Sequence, residues 1–282
     1  MQSKKRLENK VALIVGGGQI SGETIGNGRA TALTFANEGA KIVIADINMD
    51  SAKETVRLVK NQGGDALAIE GNVINQKDCN HFVSETIKFY GQLNILQNNV
   101  GIGPGKKDPE KFSIDDWRYL LDVNLTGMYL MIKNTIPIMQ KQRSGVITNV
   151  SSTISIAGDS SVRGTKSNQG DGEGQTAYRV SKSGVNTLTE SFALSQAHYG
   201  IRVNAILPGL METPNAFESA LKSNKITREE LKKIRDKQVP LLNKQGTGWD
   251  VANASLFLAS TEAKYITGIL LPVDGGLNLK RG

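Results

Sequence analysis

Short apolar runs that alternate with segments of helical spacing are the feature that most constrains the fold of this chain. The runs are rich in Val and Ile and lie at 11–15, 41–46, 66–70, 93–96, 145–150, 201–207 and 269–273. Between them, apolar residues recur every three to four positions, as on one face of a helix. Strands that alternate with helices in this way pair in parallel, and the helices cover both faces of the sheet. The sequence therefore predicts an α/β fold with a doubly wound parallel sheet of about seven strands.

Neither a break in composition nor an internal repeat divides this pattern, so we expect one domain over residues 1–282. Two segments interrupt the alternation. Residues 158–175 are rich in glycine and polar side chains, which predicts a loop insertion with little to bury. Residues 211–239 are charged but carry Phe217, Leu231 and Ile234 at roughly helical spacing. This segment predicts one or two amphipathic helices that lie over the domain as a cap.

The chain is basic, with 34 Lys and Arg residues against 27 Asp and Glu, a net charge of +7. Such a charge is compatible with nucleic acid, a membrane surface or a phosphate-bearing ligand. The Lys-rich stretches 4–10 and 222–237 lack interleaved aromatic residues, which argues against nucleic acid. No apolar stretch approaches the length needed to cross a bilayer, so we expect a soluble protein with no membrane partner.

The cysteine and histidine residues carry no sign of a disulfide or a metal. Cys79 is the single cysteine, which excludes an intramolecular disulfide and favours a reducing, cytoplasmic location with a buried or half-buried thiol. His81 and His198 have no partner at metal-ligand spacing. No metal site is predicted.

The turn after the first run is the first signal of chemistry. It contains Gly16, Gly17, Gly18, Gly22, Gly26 and Gly28. Glycines here let backbone amides approach a pyrophosphate, and the following helix N-terminus favours negative charge. The second strand ends in Asp46, which can accept both ribose hydroxyls of an adenosine and would repel a 2′-phosphate, and the next residues offer no cation. The sequence therefore predicts a Rossmann-type site for NAD rather than NADP.

Tyr178 and Lys182 form the second signal. Residues four apart share a helix face, so the Lys182 ammonium is expected beside the Tyr178 phenol. A fixed cation favours the phenolate form, which can exchange a proton with an alcohol oxygen. On its own such a pair is more often a solvated surface. Here, however, Ser151-Ser152 and residues 97–101 follow two other strands, and the carboxyl ends of parallel strands converge on one crevice.

Taken in order, these residues resemble the single-domain branch of the short-chain dehydrogenase/reductase family over essentially the whole chain. The matching pieces are the glycine turn, Asp46, the Asn-Asn-Val-Gly run 98–101, Asn124, Ser151-Ser152, Tyr178 to Lys182, Pro208-Gly209 through Thr213, and Val273-Asp-Gly-Gly276.

The resemblance implies four catalytic residues. Ser152 would hydrogen-bond the substrate oxygen, and Tyr178 would be the general acid/base. Lys182 would hold the nicotinamide ribose and favour the Tyr178 phenolate, and Asn124 would position a water that links Lys182 to solvent.

The resemblance also implies the cofactor contacts. Asn72 and Val73 would flank the adenine, Asn98 would contact the adenosine-side ribose, and Met211 and Thr213 would reach the nicotinamide carboxamide. The full set of expected cofactor-binding residues is Gly16, Gly18, Gly26, Asn27, Gly28, Asp46, Asn72, Val73, Asn98, Gly101, Tyr178, Lys182, Pro208, Gly209, Met211 and Thr213.

Two lengths depart from the family pattern. Gly16 and Gly26 are further apart than usual, and Ser152 and Tyr178 are separated by about twice the usual number of residues, which contain the 158–175 insertion. The divergent enoyl-reductase branch also has a lengthened glycine turn, but its tyrosine and lysine are spaced further apart than Tyr178 and Lys182.

We therefore expect an NAD-dependent oxidoreductase that interconverts a secondary alcohol and a ketone by hydride transfer. The alternatives are a 3-oxoacyl-[acyl-carrier-protein] reductase, which the basic charge favours and Asp46 opposes, and a non-catalytic NAD-binding regulator. The resemblance further implies a homotetramer with helices near 115–140 and 176–198 in its main interface.

Overall fold

The computed structural model describes residues 5–103, 111–157, 173–223 and 226–280. In chain order its elements are β1 (Val11–Val15), α1 (Asn27–Asn37), β2 (Lys41–Asp46), α2 (Met49–Asn61), β3 (Ala66–Glu70), α3 (Gln76–Tyr90), β4 (Ile95–Asn98), α4 (Ile114–Leu121), a π-helical turn (Asp122–Thr126), α5 (Gly127–Gln142), β5 (Gly145–Val150), α6 (Glu173–Gln196), β6 (Ile201–Pro208), β7 (Met211–Glu212), α7 (Pro214–Ser223), α8 (Arg228–Asp236), β8 (Gly246–Thr247), α9 (Gly248–Ala259) and β9 (Leu270–Val273).

The main sheet has seven strands in the order β3-β2-β1-β4-β5-β6-β9, and every neighbouring pair is parallel. The predicted doubly wound parallel sheet is confirmed. The chain leaves β1 toward β2 on one side and reaches β4 on the other, so the order reverses between β1 and β4. Ligands bind parallel sheets at such a reversal, outside the carboxyl ends of the strands.

Helices cover both faces of this sheet because the side chains of each strand alternate between them. Leu13 of β1 packs on one face in a cluster with Phe82 of α3 and Met131 of α5. Its neighbour Ile14 packs on the other face with Phe35 of α1 and Leu256 of α9. Burial on both faces explains why the strands are nearly continuous apolar runs.

Three predicted boundaries are wrong. β4 spans Ile95–Asn98 rather than 93–96, because Ala12 of β1 pairs with Ile95 and the pairing runs on to Asn98. The helix predicted over 115–140 is two α-helices joined by the π-helical turn. Residues 173–175, expected in the loop insertion, already form the first turn of α6, while residues 158–172 lie outside the described part of the chain.

The cap predicted over 211–239 contains the short strand β7 and the amphipathic helices α7 and α8. β7 pairs in parallel with β8, which immediately precedes α9. The apolar side chains Phe217 and Leu231 are buried, while Ile234 remains exposed. Among the helices that the structure describes, none is both long and apolar enough to cross a membrane.

Cys79 lies on α3 with its side chain fully buried, and its thiol donates a hydrogen bond to the Val73 carbonyl at 3.2 Å. Burial, with the neighbouring Asp78 carboxylate adding to it, raises the pKa of the Cys79 thiol to about 12. Since the thiolate is the reactive form, we expect native protein at pH 8 to react with iodoacetamide at least about a hundredfold more slowly than protein unfolded in urea. Mass spectrometry measures both rates, and equal rates would contradict this burial.

Candidate active site

The glycine turn begins at the sheet reversal, where the chain must pass very close to the loop after β4. The backbone amide of Gly16 donates to the Ala45 carbonyl at 2.8 Å, and the backbone amide of Asn99 donates to the Val15 carbonyl at 2.9 Å. Gly16 has φ +78°, and a Cβ built on it would lie 2.9 Å from a methyl carbon of Val100. Glycine is required here for both its conformation and its small size.

α1 starts directly against this turn. A Cβ on Gly28, in the first helical turn, would lie 2.1 Å from the Gly16 carbonyl oxygen. The residue before the helix, Gly26, provides no side-chain cap for the first amides. Such an uncapped helix start presents free N–H groups and a positive dipole end, which suit a phosphate.

Three buried polar atoms around the turn have no hydrogen-bond partner among the described residues: Thr24 Oγ1, Asn27 Oδ1 and Asn99 Oδ1. The amide nitrogen of Asn99 donates to the Gly16 carbonyl at 3.0 Å, so this side chain is fixed with its oxygen unpaired. Buried polar groups are normally paired. These three atoms leave hydrogen-bonding capacity at the turn that a polar ligand can use.

Replacing Gly28 with Ala is expected to lower the free energy of unfolding by about 1–3 kcal/mol, because the new methyl group would push α1 away from Gly16. Gly103→Ala is the matched control, since a Cβ there meets no atom of the described residues within 4 Å. Urea denaturation measures both variants. Equal, small effects would show that the contact between α1 and the turn is not tight.

Asp46 stands at the end of β2 with its carboxylate fixed beside the glycine turn. Oδ2 accepts from the Gly18 amide at 2.9 Å, and Oδ1 accepts from the Asn48 amide at 3.0 Å. Each carboxylate oxygen can accept a further hydrogen bond. The Asp46 carboxylate therefore keeps the acceptor capacity that the predicted ribose contact needs.

A cation near Asp46 was missed by the sequence reasoning. Arg29, on α1, donates to Thr55 Oγ1 at 2.9 Å and to the Ser51 carbonyl at 3.2 Å. Burial lowers the pKa of the Arg29 guanidinium, and the nearby Glu54 and Asp46 carboxylates act in the opposite direction. These two donors join α1 to α2. The only sequence signal was the place of Arg29 directly after Gly28.

Asn72 and Val73 follow β3 and lie beside Asp46, because the Gly71 amide donates to the Asp46 carbonyl at 3.0 Å. The Asn72 side-chain oxygen accepts from the Ile74 amide at 3.2 Å. Val73 is buried and contacts Gly127 of α5. The adenine contact expected of both residues stays a prediction.

Asn98 does not present its side chain to the crevice. It is 2% exposed, and its amide donates to Asn149 Oδ1 of β5 at 2.9 Å. Asn149 in turn donates to Thr189 of α6 at 3.0 Å. The Asn98 side chain thus joins β4 to β5, and Asn149 joins β5 to α6. The expected ribose contact at this position could be made only by the backbone.

Lys182 and Tyr178 meet on α6, as the spacing predicted. The Lys182 ammonium is fully buried, donates to the Val150 carbonyl at 2.9 Å, and lies 5.8 Å from the centre of the Tyr178 ring. Burial lowers the pKa of Lys182, and the adjacent Tyr178 opposes this shift. A Cβ on Gly101 would lie 3.1 Å from the same ammonium, so the loop after β4 also reaches this point.

Asn124 lies in the π-helical turn between α4 and α5. Its Oδ1 accepts from the Ile102 amide at 2.8 Å, and its Nδ2 donates to the Ile102 carbonyl at 3.0 Å and to Ser181 Oγ at 3.2 Å. The Asn124 side chain thus fastens the loop after β4 to α6. π-helical turns recur at functional sites, but no sequence pattern revealed this one or the part of Ile102 and Ser181.

Ser152 lies after β5 in a short segment that is fastened to α6. Ser151 Oγ donates to the Lys182 carbonyl at 3.0 Å. Ser155 Oγ accepts from Asn186 at 2.8 Å, and the Ala157 carbonyl accepts from Arg179 at 2.8 Å. Sequence reasoning missed Ser155, Arg179 and Asn186, which carry no motif of their own.

The Pro208 segment closes the crevice on the far side. Thr153 Oγ1 donates to the Pro208 carbonyl at 3.2 Å, and the Gly209 amide donates to Val273 at 3.0 Å. Met211 and Thr213 follow, both buried, with the Thr213 amide donating to Met211 at 3.0 Å. The nicotinamide contact expected of Met211 and Thr213 stays a prediction. Among the described residues no group of three or more His, Cys, Asp or Glu is arranged to hold a metal ion.

The chain is similar in sequence to known proteins over nearly its whole length. A family model described as "Enoyl-(Acyl carrier protein) reductase" matches residues 23–278. The 2,5-dichloro-2,5-cyclohexadiene-1,4-diol dehydrogenase LinX of Sphingobium indicum is 38% identical over 272 residues, 96% of this chain and 97% of that protein. A 3-oxoacyl-[acyl-carrier-protein] reductase of Thermotoga maritima is 34% identical, over 96% of this chain and 99% of its own.

Two solved structures are similar at the level of the whole fold. A protein from Burkholderia xenovorans described as a short-chain dehydrogenase/reductase superposes with a TM-score of 0.84 at 34% identity, covering 99% of this chain and 100% of its own. A carveol dehydrogenase from Mycobacterium avium in complex with NAD superposes with a TM-score of 0.85 at 27% identity, covering 98% and 100%.

Proposed function

The chain belongs to the short-chain dehydrogenase/reductase family, and on that premise we propose that it is an NAD-dependent oxidoreductase that interconverts a secondary alcohol and a ketone. The observation that carries the proposal is the convergence of Tyr178, Lys182 and Gly101 at the carboxyl ends of β4 and β5. A buried ammonium beside a phenol suits proton exchange with an alcohol oxygen.

The crevice fits a nicotinamide dinucleotide. Gly16 and Gly28 let α1 pack directly against the turn, which brings the uncapped start of α1, with its N–H groups and positive dipole end, to the place where a pyrophosphate would bind. Asp46 would hold the adenosine ribose, and Lys182 would hold the nicotinamide ribose. Bound in this way, the nicotinamide accepts or supplies the hydride.

The proton transfer is carried out by residues of the chain. In the direction of oxidation, the alcohol gives its hydroxyl proton to the Tyr178 phenolate as its carbon gives up a hydride. Ser152 holds the substrate oxygen so that both transfers are aligned, and the Lys182 ammonium favours the phenolate through its charge. In reduction the same phenol returns the proton to the ketone oxygen.

The preference for NAD over NADP rests on Asp46. Its carboxylate, held by the Gly18 and Asn48 amides, can accept the two ribose hydroxyls. A 2′-phosphate would meet this negative charge at close range. The carveol dehydrogenase whose structure contains NAD supports the same choice.

For the substrate we propose an alicyclic secondary alcohol, because the dehydrogenase LinX, 38% identical, is named for a cyclohexadiene diol. The test is reduction of NAD⁺ or NADP⁺, followed by absorbance at the NADH band, over cyclic, aromatic, steroidal and acyl-thioester alcohols. We expect the cyclic alcohols with NAD⁺ to give the highest kcat/KM. Activity confined to acyl thioesters would overturn the substrate class.

A 3-oxoacyl-[acyl-carrier-protein] reductase is the second candidate, favoured by the net charge of +7 and by the 34% identical Thermotoga maritima reductase. Such an enzyme would recognise an acidic carrier protein through a basic surface. This candidate is identified if the protein oxidises NADPH with a 3-oxoacyl thioester faster than it oxidises any of the alcohols. Tight NADH binding without turnover of any substrate would instead indicate a cofactor-binding regulator.

Three expectations remain predictions from the sequence. They are the organisation as one dinucleotide-binding domain with a loop insertion and a substrate cap, the homotetramer, and the cytoplasmic location. Light scattering of the purified protein tests the tetramer by its mass.

A further inference from the structure

The lengthened glycine turn is an ordered element with its own internal hydrogen bonds. The Gln19 side chain accepts from the Gly26 amide at 2.8 Å and donates to the Thr24 carbonyl at 3.2 Å. Ser51 Oγ of α2 accepts from the Gln19 amide and donates to the Gln19 carbonyl, both at 2.6 Å. One glutamine therefore closes the turn on itself, and one serine anchors it to α2.

The tip of this turn touches the cap, defined above as residues 211–239. A Cβ on Gly22 would lie 2.9 Å from Pro214 Cβ and 3.3 Å from Glu218 Oε1. The backbone of the turn is therefore in direct contact with the start of α7. Glycine at this position permits the approach, because any side chain would separate the two surfaces.

An ion pair adds to this contact. Glu23 of the turn lies 3.4 Å from Arg228 Nε at the start of α8, and Arg228 also donates to Glu218 of α7 at 2.5 Å. The Arg228 and Arg235 guanidinium carbons lie 5.2 and 5.4 Å from the ring centre of Phe217, whose side chain is fully buried. Arg228 thus connects the turn to both cap helices.

The cap in turn carries two residues expected at the nicotinamide. Met211 and Thr213 lie at its start, and Arg235 of α8 donates to the Met211 carbonyl at 3.1 Å. Contacts therefore run from the turn, which lies over the pyrophosphate site, through α8 to the nicotinamide end.

We propose that Gly22 and Glu23 form a clasp with Pro214 and Arg228, which couples closure of the cap to closure of the glycine turn over the bound dinucleotide. The proposal rests on the proposed function. Glu23 is then a positioning residue, which touches neither substrate nor cofactor but slows cofactor release. The additional residues of the turn make the contact with the cap, since a shorter turn would not reach α7.

Two variants test the clasp. Glu23→Gln removes the charge that pairs with Arg228, and we expect NADH to dissociate about two- to fivefold faster because exposed ion pairs contribute little individually. Gly22→Leu places a side chain between the turn and Pro214, and we expect dissociation about tenfold faster. Stopped-flow displacement of NADH by excess NAD⁺ measures the rate constant.

The controls separate the clasp from general effects. Glu262→Gln removes a similar exposed carboxylate, paired with Arg6. Ser21→Leu adds the same apolar side chain at the exposed neighbouring position. Both should release NADH at the wild-type rate. Hydrogen exchange in the cofactor-free protein gives a second measure, and α7 amides should exchange faster in Gly22→Leu than in Ser21→Leu.

Unchanged NADH release in both clasp variants would overturn the coupling. Equal α7 exchange in Gly22→Leu and Ser21→Leu would overturn the contact itself. If the wild-type protein binds no NADH, the proposed function fails, and the α7 exchange of the cofactor-free variants still decides whether the clasp exists.

Discussion

Replacing Tyr178 with Phe is expected to lower kcat by about a thousandfold or more, while the Kd for NADH changes less than about threefold. The change removes only the phenolic oxygen, which is the group that exchanges a proton with the substrate. Positioned acid–base groups contribute about 10²–10⁴-fold to rates, and the Tyr178 ring lies 5.8 Å from the buried Lys182 ammonium. Steady-state kinetics and NADH fluorescence titration measure the two quantities separately.

Tyr265→Phe is the matched control, because this tyrosine is fully exposed and lies outside the crevice. It should retain wild-type kcat and Kd. Turnover by the Tyr178→Phe variant at a rate near wild type would show that another group transfers the proton. A large loss of NADH binding would show that the phenol serves the cofactor rather than the substrate.

Asp46 is expected to give the wild-type enzyme a kcat/KM for NAD⁺ about a thousandfold above that for NADP⁺, because a close like charge costs several kcal/mol. Asp46→Asn should reduce this ratio to about tenfold or less. The variant removes the charge that repels a 2′-phosphate and one acceptor for the ribose hydroxyls. It retains an oxygen that can accept from Gly18 or Asn48.

Asp50→Asn provides the control for this change in cofactor preference. Asp50 lies in the first turn of α2 and is exposed, so the substitution changes the net charge equally near the same end of the crevice. Its cofactor ratio should match the wild type. A wild-type preference for NADPH, or an Asp46→Asn variant with an unchanged ratio, would contradict the role of Asp46.

Much of the site was predictable because its signals are local in the chain. Tyr178 and Lys182 are one helical turn apart, so their proximity follows from helix geometry wherever the helix lies. Gly16 and Gly28 flank the junction of a strand and a helix, where a dinucleotide site requires a close approach. Asp46 ends the next strand and therefore had to lie at the same edge of the sheet.

Residues whose role depends on long-range contacts were not predictable in this way. Asn98 belongs to the Asn-Asn-Val-Gly run 98–101, which the sequence reveals. The register of β4 between β1 and β5 decides that its side chain donates to Asn149 and does not face the crevice. Ser155 and Asn186 are ordinary polar residues until the segment after β5 packs on α6. Nothing in the sequence distinguishes Gly22 from the other glycines of the turn, because its role depends on the contact with α7.

The sequence by itself determined the parallel sheet and the identity of the residues at its carboxyl edge. Periodicity predicts the sheet, since strands and helix faces repeat at fixed intervals, and the residues that follow each predicted strand must lie at its carboxyl edge. Only the tertiary structure decided that Lys182 is buried against Val150, that Asn124 sits in a π-helical turn, and that the glycine turn meets the cap. Each of these depends on the distance between segments remote in the chain, and packing sets that distance.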